Sequence, residues 1–297
     1  MQSVKDGVTK NYILQPARFR LDGGAMFGII PKPLWNKVMP ADEFNRIDLA
    51  LRLWLIKKND RVILTDTGIG DYHGDQFDQR FDVRGTKSPL EKCLEKINIR
   101  PEEITDLIIS HLHFDHVGGI SKLNTENVHE PLFANATLHL HKKHFDYSQN
   151  PTQRDGGSFH TKTFLPIVDY YQKNNQIKFY EEQEGSLEID SVDMQYKCSH
   201  GHTPWLMHPY NDQFIYLSDI IPTSNHINIP WVMGYDIAAG ESTRNKVEFL
   251  ELMMEKDLLG IYEHDPKFWG SKIKKDDKGR YIPNLLEKAK EENYYLI

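Results

Sequence analysis

A dense cluster of imidazole and carboxylate side chains in residues 110–120 constrains this chain more than any other feature. The segment reads SHLHFDHVGGI, so that His111, His113, Asp115 and His116 fall within six residues. A packed core does not require that density of imidazole, whereas neutral imidazole and carboxylate groups are good ligands for Zn²⁺ and similar first-row ions. The sequence therefore predicts a metal site in this segment.

The predicted metal segment is expected to follow the end of a strand. The preceding residues 104–110 read ITDLIIS, an apolar run typical of a buried strand. Gly118 and Gly119 come next, and glycine lets a backbone turn sharply and approach its neighbours closely. A polar loop with surface histidines is the alternative, and a loop bounded by an apolar strand and a glycine pair favours the metal site instead.

Spacing within the cluster suggests more than one ion. His111 and His113 are two residues apart and point to the same side of an extended chain, so they can bind one ion together. Asp115 and His116 are adjacent and converge only if the chain turns. They would bind a second ion, or the far side of the first.

Four other apolar runs also stop near a histidine or an aspartate. They are residues 62–65 before Asp66, 192–198 before His202, 214–217 before Ser218 and Asp219, and 258–262 before Glu263, His264 and Asp265. A single aspartate after a strand is more often a turn or cap residue than a ligand. Four such ends in one chain predict that the remaining ligands come from them.

The order of these motifs resembles the metallo-β-lactamase superfamily over residues 20–270, and the His-x-His-x-Asp-His element is specific to it. The resemblance implies an α+β fold, a four-layer αββα sandwich with the site at one edge, formed by residues 1–297 as a single domain. It also implies a role for each of eight residues: the first ion would be bound by His111, His113 and His202, the second by Asp115, His116 and His264, with Asp219 bridging and Asp66 supporting a ligand from behind.

Individual positions favour one branch of this superfamily. Antibiotic-cleaving zinc members usually replace the histidine at position 116 and often carry cysteine where Asp219 stands, and oxygen-reducing flavodiiron members carry glutamate where His113 stands. Residues 21–35 are similar to the start of YtnP-like quorum-quenching lactonases, and residues 110–116 are similar to N-acyl homoserine lactonases. Methyl-parathion hydrolase-like enzymes share much of the same pattern of motifs. A glycine often follows the Gly-His-Thr-Pro segment, where this chain has Trp205.

The implied function is a dinuclear metal-dependent hydrolase, with a lactonase acting on acyl-lactones as the first hypothesis. Two divalent ions, Zn²⁺ first with Mn, Fe or Co as alternatives, would share a water and lower its pKa, and the bridging hydroxide would attack the substrate carbonyl. Asp115 and Asp219 are the predicted catalytic carboxylates, the former for proton transfer and the latter for fixing the two ions. A phosphotriesterase or aryl esterase, a glyoxalase II-like thioesterase and a non-catalytic binding protein stay as alternatives.

Substrate contacts are predicted from less specific signals. Residues 142–186 are interpreted as a lid insertion, with a surface helix pair as the alternative. Met26, Phe27 and Phe114 are candidate pocket walls that would equally suit the core, and His200 and His226 are candidate substrate contacts. For His139 and His141, two apart on a predicted strand, an exposed strand face is favoured over a second metal site.

The resemblance implies a small-molecule ester or lactone as the partner, and the composition agrees with it. The 297 residues carry a net charge of −7 with no basic block, which disfavours nucleic acid as a partner. Without a long apolar run or a signal-like start, the expectation is a soluble cytoplasmic protein with no membrane partner. The two cysteines suggest no disulfide framework, and Cys198 is expected in the core. The aromatics Phe27, Trp35 and Phe44 would form either a pocket wall or the arm of a homodimer.

Several local elements can also be predicted. Alternating leucines predict a strand over 48–57 that forms a hairpin with 61–65. Ser88 has the spacing of a capping box with Glu91, and Pro89 suits the first helical position, so a helix is expected over 89–98. A further strand is predicted over 137–141.

Overall fold

Two seven-stranded sheets dominate the computed structural model, which describes residues 8–85, 88–290 and 294–297. Residues 1–7 of the predicted domain 1–297 lie outside the described residues. The strands, in chain order, are β1 (Lys10–Asp22), β2 (Arg46–Lys58), β3 (Arg61–Thr65), β4 (Asp106–Ile108), β5 (Ser121–Leu123), β6 (His129–Pro131), β7 (Thr137–His141), β8 (Ile177–Tyr180), β9 (Glu184–Ser186), β10 (Gln195–Ser199), β11 (Leu206–Tyr210), β12 (Phe214–Tyr216), β13 (Leu259–Ile261), β14 (Phe268–Lys275), β15 (Tyr281–Lys288) and β16 (Tyr294–Leu296).

Each large sheet is mixed. The first has the order β16-β1-β2-β3-β4-β7-β8, and its pairs from β3 to β8 are parallel. The second has the order β15-β14-β13-β12-β11-β10-β9, with a parallel β12–β13 pair. Strands β5 and β6 form a separate hairpin.

Helices cover the outer faces of both sheets. The α-helices of the described residues are α1 (Gly23–Phe27), α2 (Lys32–Val38), α3 (Asp75–Phe81), α4 (Pro89–Lys96), α5 (Phe114–Val117), α6 (Lys142–Gln149), α7 (Thr161–Lys173) and α8 (Ala239–Glu255). Apolar residues of α4, α6 and α7 pack on the first sheet, and those of α8 pack on the second. A third cluster, which includes Trp54 and Cys198, fills the space between the sheets. The predicted four-layer α+β sandwich is confirmed, as is the core position of Cys198.

Strand β2 shows why the leucine alternation predicts its structure. Leu53 and Leu55 belong to the outer cluster under the helices, whereas Trp54 and Ile56 belong to the cluster between the sheets. Successive side chains of a strand point to opposite faces, and here both faces are buried. The predicted hairpin of β2 and β3 is confirmed by their antiparallel pairing.

Helix α4 begins at Pro89 as predicted, but the capping box is wrong. Ser88 has a φ of 50° and its side chain makes no hydrogen bond to the helix. Its backbone N–H instead donates to Oδ2 of Asp71 at 2.6 Å. The link to residue 71 fixes the start of the helix from outside, which a local motif does not predict.

Strand β7 has the predicted bounds, but the expected exposed face is wrong, because His139 and His141 are both fully buried. The strand lies between β4 and β8, and its side chains from 138 to 141, which point alternately to the two faces of the sheet, are all buried. His139 hydrogen bonds with Oδ1 of Asp106 at 3.0 Å and with the Tyr180 hydroxyl at 2.8 Å. These contacts identify it as a paired core residue.

In the described part of the chain, no helix combines the length and the apolar character needed to cross a membrane.

Buried His208 predicts a loss of stability in acid. Its ring nitrogens contact Oγ of Ser199 at 2.8 Å and the carbonyl of Tyr216 at 3.3 Å, and burial lowers its pKa to about 3. The unfolded chain takes up this proton near pH 6.5 and the folded chain does not, so stability falls as the pH drops below 6.5 towards 3. At pH 5 the lowered pKa of His208 reduces the free energy of unfolding by about 2 kcal/mol relative to neutral pH.

The variant His208→Gln isolates the contribution of His208 to the pH dependence of stability, because glutamine does not titrate. Urea unfolding of the metal-free protein at pH 7 and pH 5 should give a stability gap between wild type and variant that narrows by about 2 kcal/mol in acid. An unchanged gap would show that His208 does not contribute to the acid dependence.

Candidate metal centre

Five strand ends deliver the predicted metal-binding residues to one place. Strand β3 ends before Asp66, β4 before the segment that begins at His111, β10 before His202, β12 before Asp219 and β13 before His264. Rigid strands fix where each connecting loop begins, so short polar segments can converge. Within the described residues, the nitrogen and oxygen atoms of seven side chains gather into two neighbouring groups that could each hold an ion.

The first group consists of His111, His113, His202 and Asp219, all buried. Nδ1 of His113 lies 3.1 Å from Nε2 of His111 and 3.1 Å from Nε2 of His202. Oδ2 of Asp219 lies 3.1 Å from Nε2 of His202. Ligand nitrogens about 2.0 Å from a tetrahedral zinc ion are separated by about 3.3 Å, so this spacing suits a tetrahedral cation.

The second group consists of Asp115, His116 and His264. Nε2 of His116 and Nε2 of His264 each lie 3.8 Å from Oδ2 of Asp115. Asp219 faces this group too, with Oδ2 at 3.3 Å from His116 and Oδ1 at 3.2 Å from His264. One carboxylate therefore contacts both groups, as the predicted bridging position requires.

An unpaired buried atom tests whether these residues suit a cation. Nε2 of His116 is buried and has no hydrogen-bond partner in the described structure. A buried polar atom without a partner is costly, and a bound cation would accept its lone pair. Five imidazoles and two carboxylates form the donor set that Zn²⁺ and similar ions prefer, so the residues present fit a metal pair.

Charge couples the two groups. Burial lowers the pKa of His111 and His113, and their neighbouring imidazoles lower it further. Burial also opposes protonation of His202, but the carboxylates of Asp219 and Asp236 outweigh it and raise the pKa to about 10. Although burial acts against ionisation of Asp219, the imidazoles of His202, His116 and His264 hold its pKa well below the usual range. The centre is thus built around one ionised carboxylate.

Further buried groups orient these imidazoles from behind. Asp66 accepts hydrogen bonds from N and Oγ of Ser110 at 2.7 and 2.6 Å, and its Oδ2 lies 3.1 Å from Nδ1 of His116. The contact places Asp66 behind a predicted ligand, and its supporting role stays a prediction. Oδ1 of Asp236 lies 3.0 Å from Nδ1 of His202, and the carbonyl of Ala50 lies 2.8 Å from Nδ1 of His264. Such partners fix the ring orientation and the tautomer.

Two of these supporting residues are missed by sequence reasoning. Glu263 is fully buried and its Oε2 lies 2.9 Å from Nδ1 of His116. Its place next to His264 is a signal that could have identified it. Asp236 has no comparable signal, because it lies in an irregular loop far along the chain from its partner His202.

A cavity of about 200 Å³ opens beside the two groups. Its walls include the predicted residues Met26 and Phe114, together with Leu21, Phe81, Gly157, Ser158, Met233 and Tyr235. His113, Asp115, His202, Asp219 and His264 also line it. Five of the seven predicted ligands are therefore accessible from a pocket with a largely apolar wall.

Three predicted substrate contacts do not line this cavity. Phe27 is buried and stacks on His226 at 4.9 Å, and Nε2 of His226 lies 2.9 Å from the carbonyl of Met26. Both residues lie behind the wall and support Met26. His200 is drawn away by Oε1 of Gln183, 2.7 Å from its Nε2, and by the ring of Trp205.

The segment 142–186 contributes both to the pocket and to the core. Gly157 and Ser158 line the cavity, and the ring of Phe159 lies 4.7 Å from that of His113. Helix α7 of the same segment packs into the outer cluster on the first sheet. A lid function of the segment stays a prediction. Of the N-terminal aromatics, Trp35 is buried against Phe27 and Phe44 is exposed.

Comparisons with known proteins relate this geometry to a family. Residues 53–262 match the sequence model of the metallo-beta-lactamase superfamily. The N-acyl homoserine lactonase AttM of Azorhizobium caulinodans is 25% identical over 61% of this chain, and the match spans 66% of the length of that relative.

Solved structures share the fold. A probable metal-dependent hydrolase from Staphylococcus aureus has 25% identity and a TM-score of 0.79, with 95% of this chain and 99% of that chain covered. AidC, a dizinc quorum-quenching lactonase, has 23% identity and a TM-score of 0.70, with 95% and 96% covered.

Proposed function

This chain belongs to the metallo-beta-lactamase superfamily, and from that premise we propose that it is a hydrolase that depends on two divalent metal ions and opens the ester bond of acyl-lactones. The observation that carries the proposal is the position of Asp219. Its carboxylate contacts His202 of the first group at 3.1 Å and His264 of the second at 3.2 Å. A shared carboxylate between two sets of imidazoles is suited to holding two ions close together.

Two sets of residues would each bind one metal ion. His111, His113 and His202 would hold one ion, Asp115, His116 and His264 the other, and Asp219 would contact both. When bound, the ions would polarise the substrate and activate water at neutral pH.

Asp115 lines the cavity and could hold the proton that passes to the leaving oxygen. Asp66 and Asp236 keep the imidazoles of His116 and His202 in place. Residues that orient ligands in this way are expected to affect metal affinity as well as rate.

The pocket wall supports an acyl-bearing substrate. Leu21, Met26, Phe81, Phe114 and Met233 present apolar side chains to the cavity, and burying an apolar chain against them is favourable by about 0.8 kcal/mol per methylene. The names of AttM and AidC as lactonases point to the same substrate class.

A panel of three esters tests the proposal. Protein purified with zinc or manganese would be assayed with N-hexanoyl-homoserine lactone, an aryl phosphotriester of the paraoxon type, and S-lactoylglutathione. We expect the lactone to have the largest kcat/KM, EDTA to abolish its hydrolysis and added metal to restore it.

Each alternative gives a different result in this panel. Turnover of the phosphotriester or the thioester alone would replace the lactonase with the corresponding hydrolase. Protein that binds no ion by elemental analysis and cleaves none of the three esters after metal is added would favour a non-catalytic binding protein.

A further inference from the structure

Lys246, on α8, is a fully buried lysine that lies outside the metal centre. Its Nζ donates hydrogen bonds to the carbonyl oxygens of Asn228 at 2.6 Å, Ile229 at 3.1 Å and Trp231 at 3.0 Å. An ammonium group has three N–H donors, so these three carbonyls use all of them. Lysine is rarely buried completely, and here its whole hydrogen-bonding capacity is directed at the start of one loop, residues 228–238.

Burying the charge of Lys246 is unfavourable. Burial lowers the pKa of the ammonium to about 7, while the carboxylate of Asp236 acts in the opposite direction. An apolar side chain of similar size would fill the same space without a charge to desolvate. The three hydrogen bonds to the 228–238 loop are therefore what the lysine adds at this position.

The 228–238 loop has little regular structure to hold it in place. It contains neither an α-helix nor a strand. The N–H of Trp231 donates to the carbonyl of Asn228 at 2.9 Å and closes a turn, and Lys246 binds the carbonyls of that same turn from the side of α8. A buried cation with three carbonyl partners thus takes the place of the backbone ladder that a helix or strand would provide.

The same loop carries three side chains that belong to the metal centre. Met233 and Tyr235 line the cavity, and Oδ1 of Asp236 lies 3.0 Å from Nδ1 of His202. Asp236 comes only five residues after Trp231, the last residue whose carbonyl the lysine binds. A shift of the turn therefore reaches the partner of a predicted metal ligand through a short piece of chain.

We infer that Lys246 is a positioning residue of the metal centre. By holding the start of the 228–238 loop, it fixes Asp236 where that residue orients His202. The inference rests on the proposed function, because it takes His202 to be a metal ligand. Loss of an outer partner of a metal-binding histidine typically lowers metal affinity by about 10- to 100-fold. Loosening the loop, with Asp236 still present, should give an effect at the lower end of that range.

The variant Lys246→Met shortens the side chain by one atom and removes all three donors. In the metal-free protein, amide hydrogen exchange followed by mass spectrometry should become about tenfold faster in peptides from residues 228–238 and stay unchanged in the strands of both sheets. A competition titration with zinc should show about a tenfold weaker affinity.

The control is Arg244→Met, which removes a positive charge from an exposed position on the same helix, where Arg244 pairs with Glu241 at 2.8 Å. It should keep wild-type exchange and zinc affinity. If Lys246→Met did not fold, Lys246→Gln, which keeps two donors on a side chain of the same reduced length, would be measured in the same way. It should speed up exchange in the same loop by a smaller factor.

The outcomes separate positioning from a purely structural role. A folded variant of Lys246 whose loop exchange stays within twofold of wild type would overturn the inference while the proposed function stands. Faster loop exchange with unchanged zinc affinity would overturn it too, because the lysine would then hold the loop without affecting the centre. Wild-type protein that takes up no zinc would overturn the proposed function and the inference with it.

Discussion

Replacing Asp219 by asparagine is expected to lower kcat/KM for the ester substrate by about 10³-fold or more and to reduce the bound metal below two ions per chain. The side chain keeps its shape but loses its charge, and one of its two oxygens becomes an NH₂ group that cannot bind a cation. His116, His202 and His264 would lose the anion that each contacts within 3.3 Å. Asp115 would then be the one carboxylate left among the predicted ligands, so the repulsion between two cations held close together would be offset less.

A matched control lies seven residues earlier in the chain. Asp212 is exposed in the turn between β11 and β12, and Asp212→Asn makes the same charge change there. Elemental analysis and steady-state kinetics of the two variants should separate a local effect from a change in net charge. If Asp219→Asn kept two ions and activity within tenfold of wild type, Asp219 would not be the residue that joins the two groups.

The seven predicted ligands could be proposed from sequence because each lies beyond the end of a buried strand. His111 comes three residues after β4 ends at Ile108, and Asp219 comes three residues after β12 ends at Tyr216. An apolar run marks the strand, and the first histidine or aspartate beyond it marks a loop at the sheet edge. An apolar run does not show which other loop of the chain lies next to it. The resemblance to a known family supplies that pairing of loops.

Residues in long irregular loops could not be predicted in this way. Tyr235 and Asp236 lie between β12 and α8, in a stretch held by contacts to Ala25, Arg154 and Lys246. Those contacts join parts of the chain far apart in sequence. The burial of His139 cannot be predicted locally either, because its partners Asp106 and Tyr180 lie on the neighbouring strands β4 and β8.

At Trp205, tertiary packing overrides the local backbone preference for glycine. Its φ of 61° lies in the left-handed region that favours glycine, which agrees with the glycine often found there in similar proteins. The ring of His141 stacks on it at 4.8 Å and Nζ of Lys143 lies 4.3 Å from its centroid. Contacts from β7 and α6 therefore hold a large residue in a strained backbone position.

Two turns of the chain approach each other closely at Gly119. The N–H of Gly119 donates to the carbonyl of Gly68 at 3.1 Å, and the N–H of Thr67 donates to the carbonyl of His116 at 2.8 Å. A Cβ on Gly119 would lie 2.2 Å from the carbonyl oxygen of Thr67, a backbone atom that cannot rotate away. Gly119→Ala must force the turns apart, at an expected cost of about 3 kcal/mol in the free energy of unfolding.

The same separation should weaken metal binding, because Thr67 follows Asp66 and the other turn carries His116. Urea unfolding and a zinc competition titration would measure the two effects. The control is Gly240→Ala in the first turn of α8, where an added Cβ meets nothing within 4 Å and alanine should be neutral or slightly stabilising. If Gly119→Ala unfolded at the wild-type urea concentration with unchanged zinc affinity, the contact between these turns would not determine the geometry of the centre.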